Sequence, residues 1–488
     1  MNRPVLVWFR RDLRLSDHAA LTTAARMGPV VPVYIHSPQG AGAWRDGAAS
    51  RWWLQRSLAA LDAALRRRGS RLVLDRGDPA EVLARIAADT GAAAVVWHQR
   101  HEAHAADADQ RVAAALTGAG LRAVCLPGPL LIEPTRLLTA AGTPYRIFTP
   151  FWRAAQAAFD AAPPQPVPGS WRPPPQWPAG LDLAQLALDR GEAWTGGLAA
   201  AWEPGELGAG RRLAAFVAHS LATYAEGRDQ LGVDGISRLS PHLAFGELSP
   251  RQVWHAVADR PGAAPYLRQL GWRDFNGYLL HHFPNLPEEP LNAGFAGFPW
   301  VDDDSAQRQW QQGTTGFPLV DAGMRQLWAT GWMHNRVRMV SASFLVKDLL
   351  VHWRRGAEWF WDTLVDADLA NNTCGWQWTA GCGADAAPFF RVFNPTAQAQ
   401  RYDRDGAYVR RWVPELARLP VPWIHQPWAA PTAVLTQAGV RLGQTYPQPL
   451  VDHAWARQRA LRSLALCRRE GGSGRDPRSA LSGVDTPY

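Results

Sequence analysis

"DADLANNTCGWQWTAGCGADAAPFFRVFNP" occupies residues 366–395 and brings together Trp376 and Trp378, Asn371 and Asn372, Cys374 and Cys382, and three aspartates. Two chemistries compete for it. A zinc or thiol site would use the cysteines. They stand eight apart, with no second Cys or His pair at ligand spacing and no candidate base beside them. Cys374 and Cys382 therefore read as small buried hydrophobes, and the question passes to the indoles. Trp300, Trp353, Trp376 and Trp378 are either core residues or a chain of oxidisable rings, and spacing leaves both readings open. The chain carries 25 tryptophans, well above ordinary core usage.

The sequence around this stretch is helical. "GRRLAAFVAHSLATYAEGRD" (210–229) and "HNRVRMVSASFLVKDLLVHWRRG" (334–356) repeat apolar residues at helical spacing, which predicts a mostly α second half. The first 130 residues alternate instead. "PVLVWF" (4–9), "PVVPVYIH" (29–36), "RLVLD" (71–75), "AAVVWH" (93–98) and "RAVCLP" (122–127) are short apolar runs separated by helical patterns. That order predicts a parallel sheet covered on both faces. Residues 50–69 read as a helix closing on Gly69, and Asp78-Pro79 as an N-cap followed by a first helical proline. No Gly-x-Gly-x-x-Gly follows the first strand. "AAPPQPVPGSWRPPPQWPAG" (161–180) reads as an irregular surface connector.

At 488 residues the chain exceeds a single core, and 47% hydrophobic against 19% charged residues marks it as globular. No run approaches the roughly 18 apolar residues of a membrane span. Arg10, Arg11 and Arg14 interrupt the first apolar stretch, which argues against a signal peptide. Four cysteines fit a reducing compartment rather than a disulfide framework, so a cytoplasmic location is expected; a monomer is expected as well. The net charge of +8 is almost all arginine, Lys347 being the only lysine, and residues 232–400 are net acidic. This permits a polyanionic partner, and it equally describes solvated faces.

Two further motifs carry polar chemistry. Ser237, Arg238 and Ser240 precede a helix opening at Ser240-Pro241, which suits a phosphate or an ordinary serine cap. Asn335 and Met339 share a helix face beside Arg338, and either line a pocket for a flat ligand or serve as cap and core. A buried Arg338 would require a carboxylate.

With "VLVWFRRDLRLSDHAAL" (5–21), "GTPYRIFTPFWRA" (142–154), "SRLSPHLAFGELSPRQ" (237–252) and "TGWMHNRVRMVSASFLVKDL" (330–349), the opening stretch resembles the DNA photolyase/cryptochrome family nearly from end to end. "GWRDFNGYLLHHFPNLPEEPLNAGFAGFPW" (271–300) is most similar to the bacterial class III cyclobutane-dimer photolyases. The resemblance implies an α/β Rossmann-like antenna domain over 1–130, a linker over 131–205 and an all-α FAD-binding domain over 206–465; the Gly/Ser/Pro-rich end, 466–488, reads from its composition as a disordered tail.

The resemblance further implies light-driven repair of cyclobutane pyrimidine dimers in UV-damaged DNA by electron transfer from reduced FAD. FAD contacts fall on Tyr224, Ile236, Ser237, Arg238, Leu239, Ser240, Tyr266, Arg273, Asn335, Arg338, Asp366, Asp368 and Asn372. Arg338 is expected to pair with Asp366, and Asn372 to face the flavin ring, where it bonds a reduced flavin without adding charge. Trp376, Trp353 and Trp300 match the family's photoreduction chain, ordered outward. Gln269, Trp272, Arg273, Asn335, Met339 and Trp378 are expected to line the lesion site, into which the dimer is flipped. Glu102 falls where folate-binding relatives hold the pterin, which implies 5,10-methenyltetrahydrofolate as antenna; locally it reads as a first-turn acid.

Three positions depart from the family pattern: Gln269 replaces a glutamate, Tyr266 a tryptophan and Ile236 a threonine. Gln269 keeps a cryptochrome-type photoreceptor and a (6-4) photolyase open as alternatives.

Overall fold

The computed structural model describes residues 3–470 apart from 39–41, 43, 161, 170, 190, 192 and 387–389. The tail from 471 onward lies outside the described residues. The final helix, His453–Glu470, runs past 465.

Each of the five apolar runs forms a strand: β1 Val5–Phe9, β2 Val30–His36, β3 Val73–Arg76, β4 Ala94–His98 and β5 Arg122–Leu126. They make one parallel sheet in the order β3-β2-β1-β4-β5. β1 is buried along its whole length because it supplies two cores. Val5, Val7 and Phe9 join Trp52, Trp53 and Leu58 on one face. Leu6 and Trp8 join Val31, Val33, Leu83 and Trp97 on the other. Period-two alternation thus buries both sides of a strand whose sequence never turns polar.

Local signals set the covering helices. Pro79–Thr90 begins with the Asp78 carboxylate accepting from the Ala80 amide and ends at Gly91 with φ of 64°. The helix expected to close on Gly69 stops earlier, at Arg66. Gly69 still takes a left-handed φ of 73°, two residues past the Arg67 cap. Among its described residues the proline-dense connector forms no strand, yet it is tied down. The Val30 amide donates to the Arg172 carbonyl, and Trp171 is buried in the core beneath the sheet.

Among the described residues of the second half the regular elements are helices, apart from one isolated bridge between Leu442 and Tyr446. Two expected long helices are broken. Residues 210–229 divide into Glu206–His219 and Tyr224–Gly227. Residues 334–356 divide into Asn335–Ser343, a π-helical turn Phe344–Asp348 and the start of Trp353–Thr363. The chain forms two compact units. One comprises the residues up to Pro284 with Arg325–His334 and Glu358–Asn372; the other comprises Asn285–Met324, Asn335–Ala357 and Thr373 onward.

Candidate active site

In the first unit, the helix Ala263–His282 presents Gln269, Trp272, Arg273 and Asn276 on one half-buried face. Its opposite side, with Leu270, Asp274, Phe275 and Tyr278, is buried. Gly271 lets this helix approach Trp152, since a Cβ there would lie 2.4 Å from the indole ring. The Trp272 ring stacks on Phe148 at 3.9 Å and 7°, so one of its faces is held rigidly. Arg273 donates to the Pro129 carbonyl at 3.0 Å. Asp274 accepts from the Leu131 and Ile132 amides at 2.6 and 3.3 Å, and burial pushes its carboxyl up to about 7.

Asn276 and Asn371, which the sequence reading passed over, extend this face. Asn276 Nδ2 donates to Asn371 Oδ1 at 2.9 Å, and Asn371 Nδ2 donates to Asp368 Oδ1 at 2.7 Å. The signal was present in Asn276, which sits one helical repeat beyond Gln269. Asp366 is buried, and Asn372 opens the same helical turn by donating its amide to the Asp368 carbonyl.

The loop before Ser240 is shaped by its backbone. Gly235 packs on Gly227, where a Cβ would lie 2.6 Å from a carbonyl oxygen, and Arg238 holds a left-handed φ of 51°. Ser240 begins the helix Ser240–Ala244 rather than capping it. Its hydroxyl accepts from Trp332 Nε1 at 3.3 Å. Leu239 is fully buried in the apolar core, and Ile236 packs against the same cluster, so both offer a ligand mainly backbone. Tyr224 and Tyr266 meet edge-on at 5.2 Å in that core, and burial raises both phenols. Arg212, another residue missed in the sequence, donates to the Ser237 carbonyl at 2.8 Å. Arg212 and Arg238, with Arg211 and His242, line a cavity of about 280 Å³.

The second unit holds the indoles. Trp353 and Trp376 are buried, and Trp300 is half-buried. Trp300 lies edge-on to His352 at 5.2 Å, and His352 stacks on Trp353 at 5.6 Å. Trp376 packs on Gly356, one turn along the helix from Trp353, and also meets Trp310 edge-on at 6.1 Å. Asn335 is exposed and donates to Met339 Sδ at 3.8 Å; Met339 and Arg338 are half-buried, so Met339 is not core. Trp378 is half-buried beside Phe393, with the Arg391 guanidinium 5.3 Å from its ring. Cys382 is buried and its thiol pushed up to about 12, which keeps it protonated and inert.

Glu102 is the N-cap residue of Ala103–Gly118 rather than a first-turn acid, and its side chain does not cap. Both carboxylate oxygens accept from Arg100, which holds the carboxyl far below the usual range against the opposing effect of burial. Among the described residues, the one cluster with metal-ligand proximity is Asp12, His18 and His98. Its lone pairs are already used. The Leu21 amide donates to His18 Nδ1 and the Ala20 amide to His98 Nε2, so the protons sit on the nitrogens facing Asp12 Oδ2, at 3.1 and 2.7 Å. This cluster caps the helix Ala19–Met27.

The sequence matches the family model for the FAD-binding domain of DNA photolyase over residues 266–465 and the DNA photolyase model over residues 5–169. It is 47% identical to the deoxyribodipyrimidine photo-lyase of Agrobacterium fabrum, covering 96% of this chain and 98% of that protein. The chain belongs to the DNA photolyase/cryptochrome family. Cryptochrome-1 of Arabidopsis thaliana, another member, is 39% identical over 93% of this chain and 69% of its own length. A solved bacterial class III photolyase from Agrobacterium tumefaciens superposes with a TM-score of 0.92 at 46% identity, covering 96% of this chain and 98% of that one. The parallel sheet and the helical second half are thus the photolyase/cryptochrome architecture, and the cofactor is FAD. The donor set fits it: Arg238, Arg212 and the serine hydroxyls suit phosphates, and Asp368, Asn371 and Asn276 form a polar chain suited to a ring edge. Among the described residues no helix is long and apolar enough to cross a membrane.

Proposed function

We propose that this protein is a class III deoxyribodipyrimidine photo-lyase, acting on cyclobutane pyrimidine dimers in UV-damaged DNA. The observation that carries this is the 47% identity, over almost the full length of both chains, to a deoxyribodipyrimidine photo-lyase. When bound and reduced, FAD supplies the light-driven electron that opens the cyclobutane ring and then takes it back. Tyr224, Ile236, Ser237, Arg238, Leu239, Ser240, Tyr266, Arg338, Asp366, Asp368 and Asn372 hold the cofactor. Arg238 and the hydroxyls of Ser237 and Ser240 bind its phosphates, and Asn372 contributes an amide rather than a carboxylate, adding no negative charge.

Gln269, Trp272, Arg273, Asn335, Met339 and Trp378 receive the lesion. Trp272, braced by Phe148, offers one flat apolar face, which suits a base lifted from the stack. Trp376, Trp353 and Trp300 relay electrons when the cofactor must be reduced. A folate-type antenna binds near the Arg100–Glu102 pair, where β1 and β4 meet at the topological switch of the sheet, the usual ligand crevice of such folds.

The test is to illuminate the reduced protein with oligonucleotides containing either a cyclobutane dimer or a (6-4) photoproduct. Restored thymines from the first alone are expected. Repair of the (6-4) product, or repair of neither with light-driven cofactor reduction intact, overturns the reading in favour of a (6-4) photolyase or a photoreceptor.

A further inference from the structure

His352 plays no part in the reading above, yet it is the ring that both Trp300 and Trp353 touch. Its imidazole is edge-on to Trp300 at 5.2 Å and 62°, and stacked on Trp353 at 5.6 Å and 30°. Phe298 covers Trp300 at 4.4 Å, so the rings form a continuous series. The Arg354 amide donates to His352 Nδ1 at 3.1 Å, which places the ring proton on Nε2. The charges nearby are Arg354, paired with Glu288 at 2.5 Å, and Arg355, paired with Asp302 and Asp304. Burial and Arg354 hold the imidazole below its ordinary value, and Asp302 only partly offsets them. At neutral pH the ring is uncharged.

We infer that His352 is a positioning residue of the indole relay, a neutral spacer that keeps Trp300 and Trp353 in ring contact with one imidazole and keeps positive charge off the path of the electron hole. This rests on the relay proposed above. In the steps concerned, Trp353 gives one electron to the oxidised Trp376 indole and then regains one from Trp300, so the positive charge moves outward to Trp300. The oxidant upstream is the light-excited flavin. No proton passes to His352, because Nδ1 already accepts an amide hydrogen and Nε2 carries its own.

An imidazolium at this place repels the hole on both indoles. The two repulsions nearly cancel in the step from Trp353 to Trp300, so the charge acts on arrival of the hole at Trp353 from Trp376; at ring-contact separation and an effective dielectric near 20 that opposition corresponds to roughly a tenfold or greater loss of transfer. The experiment uses the FAD-loaded full chain and reads the yield of indole radical after a light pulse between pH 4.5 and 8. His352 is titrated in parallel by NMR in the dark. The native protein is expected to hold a constant yield near neutrality and to lose it about tenfold as pH falls through the His352 value, below about 6.5. His352→Gln, neutral at every pH, should show no such fall, and His352→Lys should be low throughout.

A pH profile shared by the native protein and His352→Gln overturns the inference. FAD content and circular dichroism of each variant identify any that fails to fold, and His352→Gln alone then carries the comparison. Trp376→Phe separates the two claims. If it leaves the radical yield intact, the relay itself is wrong. If it abolishes the yield while the His352 variants match the native protein, only the role of His352 is wrong.

Discussion

The Trp376 indole lies against Gly356 so closely that a Cβ at that glycine would fall 2.1 Å from Cη2. A rigid, buried ring cannot yield that distance without moving its neighbours. Gly356→Ala is therefore expected to destabilise the protein by about 1–3 kcal/mol through overpacking. Gly375, in the exposed part of the helix Leu369–Ala380, has open space around its Cβ position. Gly375→Ala should stabilise by about 0.5–1 kcal/mol through helix propensity. Urea midpoints of the two variants should move in opposite directions.

Gln269 shares its helix face with Trp272 and Arg273. Its amide can bond a base edge but cannot offset positive charge or supply a proton. Gln269→Glu should raise the quantum yield of dimer splitting, since a carboxylate makes the stronger, charge-assisted bond and can offset positive charge. An unchanged yield with unchanged DNA affinity would show that this position does not limit repair.

Arg238 holds its left-handed backbone while its guanidinium lies 5.2 Å from the Trp332 ring and 3.4 Å from Asp234. Arg238→Lys keeps the charge but loses the planar fork and the stacking. FAD affinity should fall about tenfold, the equivalent of about 1.4 kcal/mol. The ratio of flavin to protein absorbance after gel filtration reads this directly.

Acid should act on the Asp12–His18–His98 cap. Burial pulls His18 down to about 4, so the folded protein resists the proton that the unfolded chain takes up near 6.5. Stability from this group is complete above 6.5 and declines as pH falls towards 4, by about 3 kcal/mol in all. Asp274 works in the other direction. Its folded value of about 7 exceeds the unfolded one, so acidification restores what its ionised form costs. The test is therefore a difference. His18→Asn, which can still cap the helix, should gain about 3 kcal/mol on the native protein between pH 6.5 and 4.

Much of the fold was legible because its signals are local. The central strands β1, β2 and β4 read as apolar runs, since a strand buried on both faces has no polar side to show, whereas the edge strands β3 and β5 carry exposed positions. Asp78-Pro79 marked a helix start through bonds spanning two residues. The broken helices were not legible. The chain turns after His219 where Gly262 packs on the Leu221 carbonyl, a Cβ there lying 2.0 Å away. That partner lies far along the sequence. Likewise Glu102 was visible as an acid, while its capture by Arg100 depends on how the loop after β4 folds.

What the sequence determined by itself was the fold class and the family, because apolar periodicity and long motifs are properties of consecutive residues. Only the tertiary structure decided that His352 stands between Trp300 and Trp353, that Asn276 and Asn371 join Asp368, and that Gly356 yields its space to Trp376. Such contacts come from dense packing of distant segments, where a few tenths of an ångström separate contact from collision.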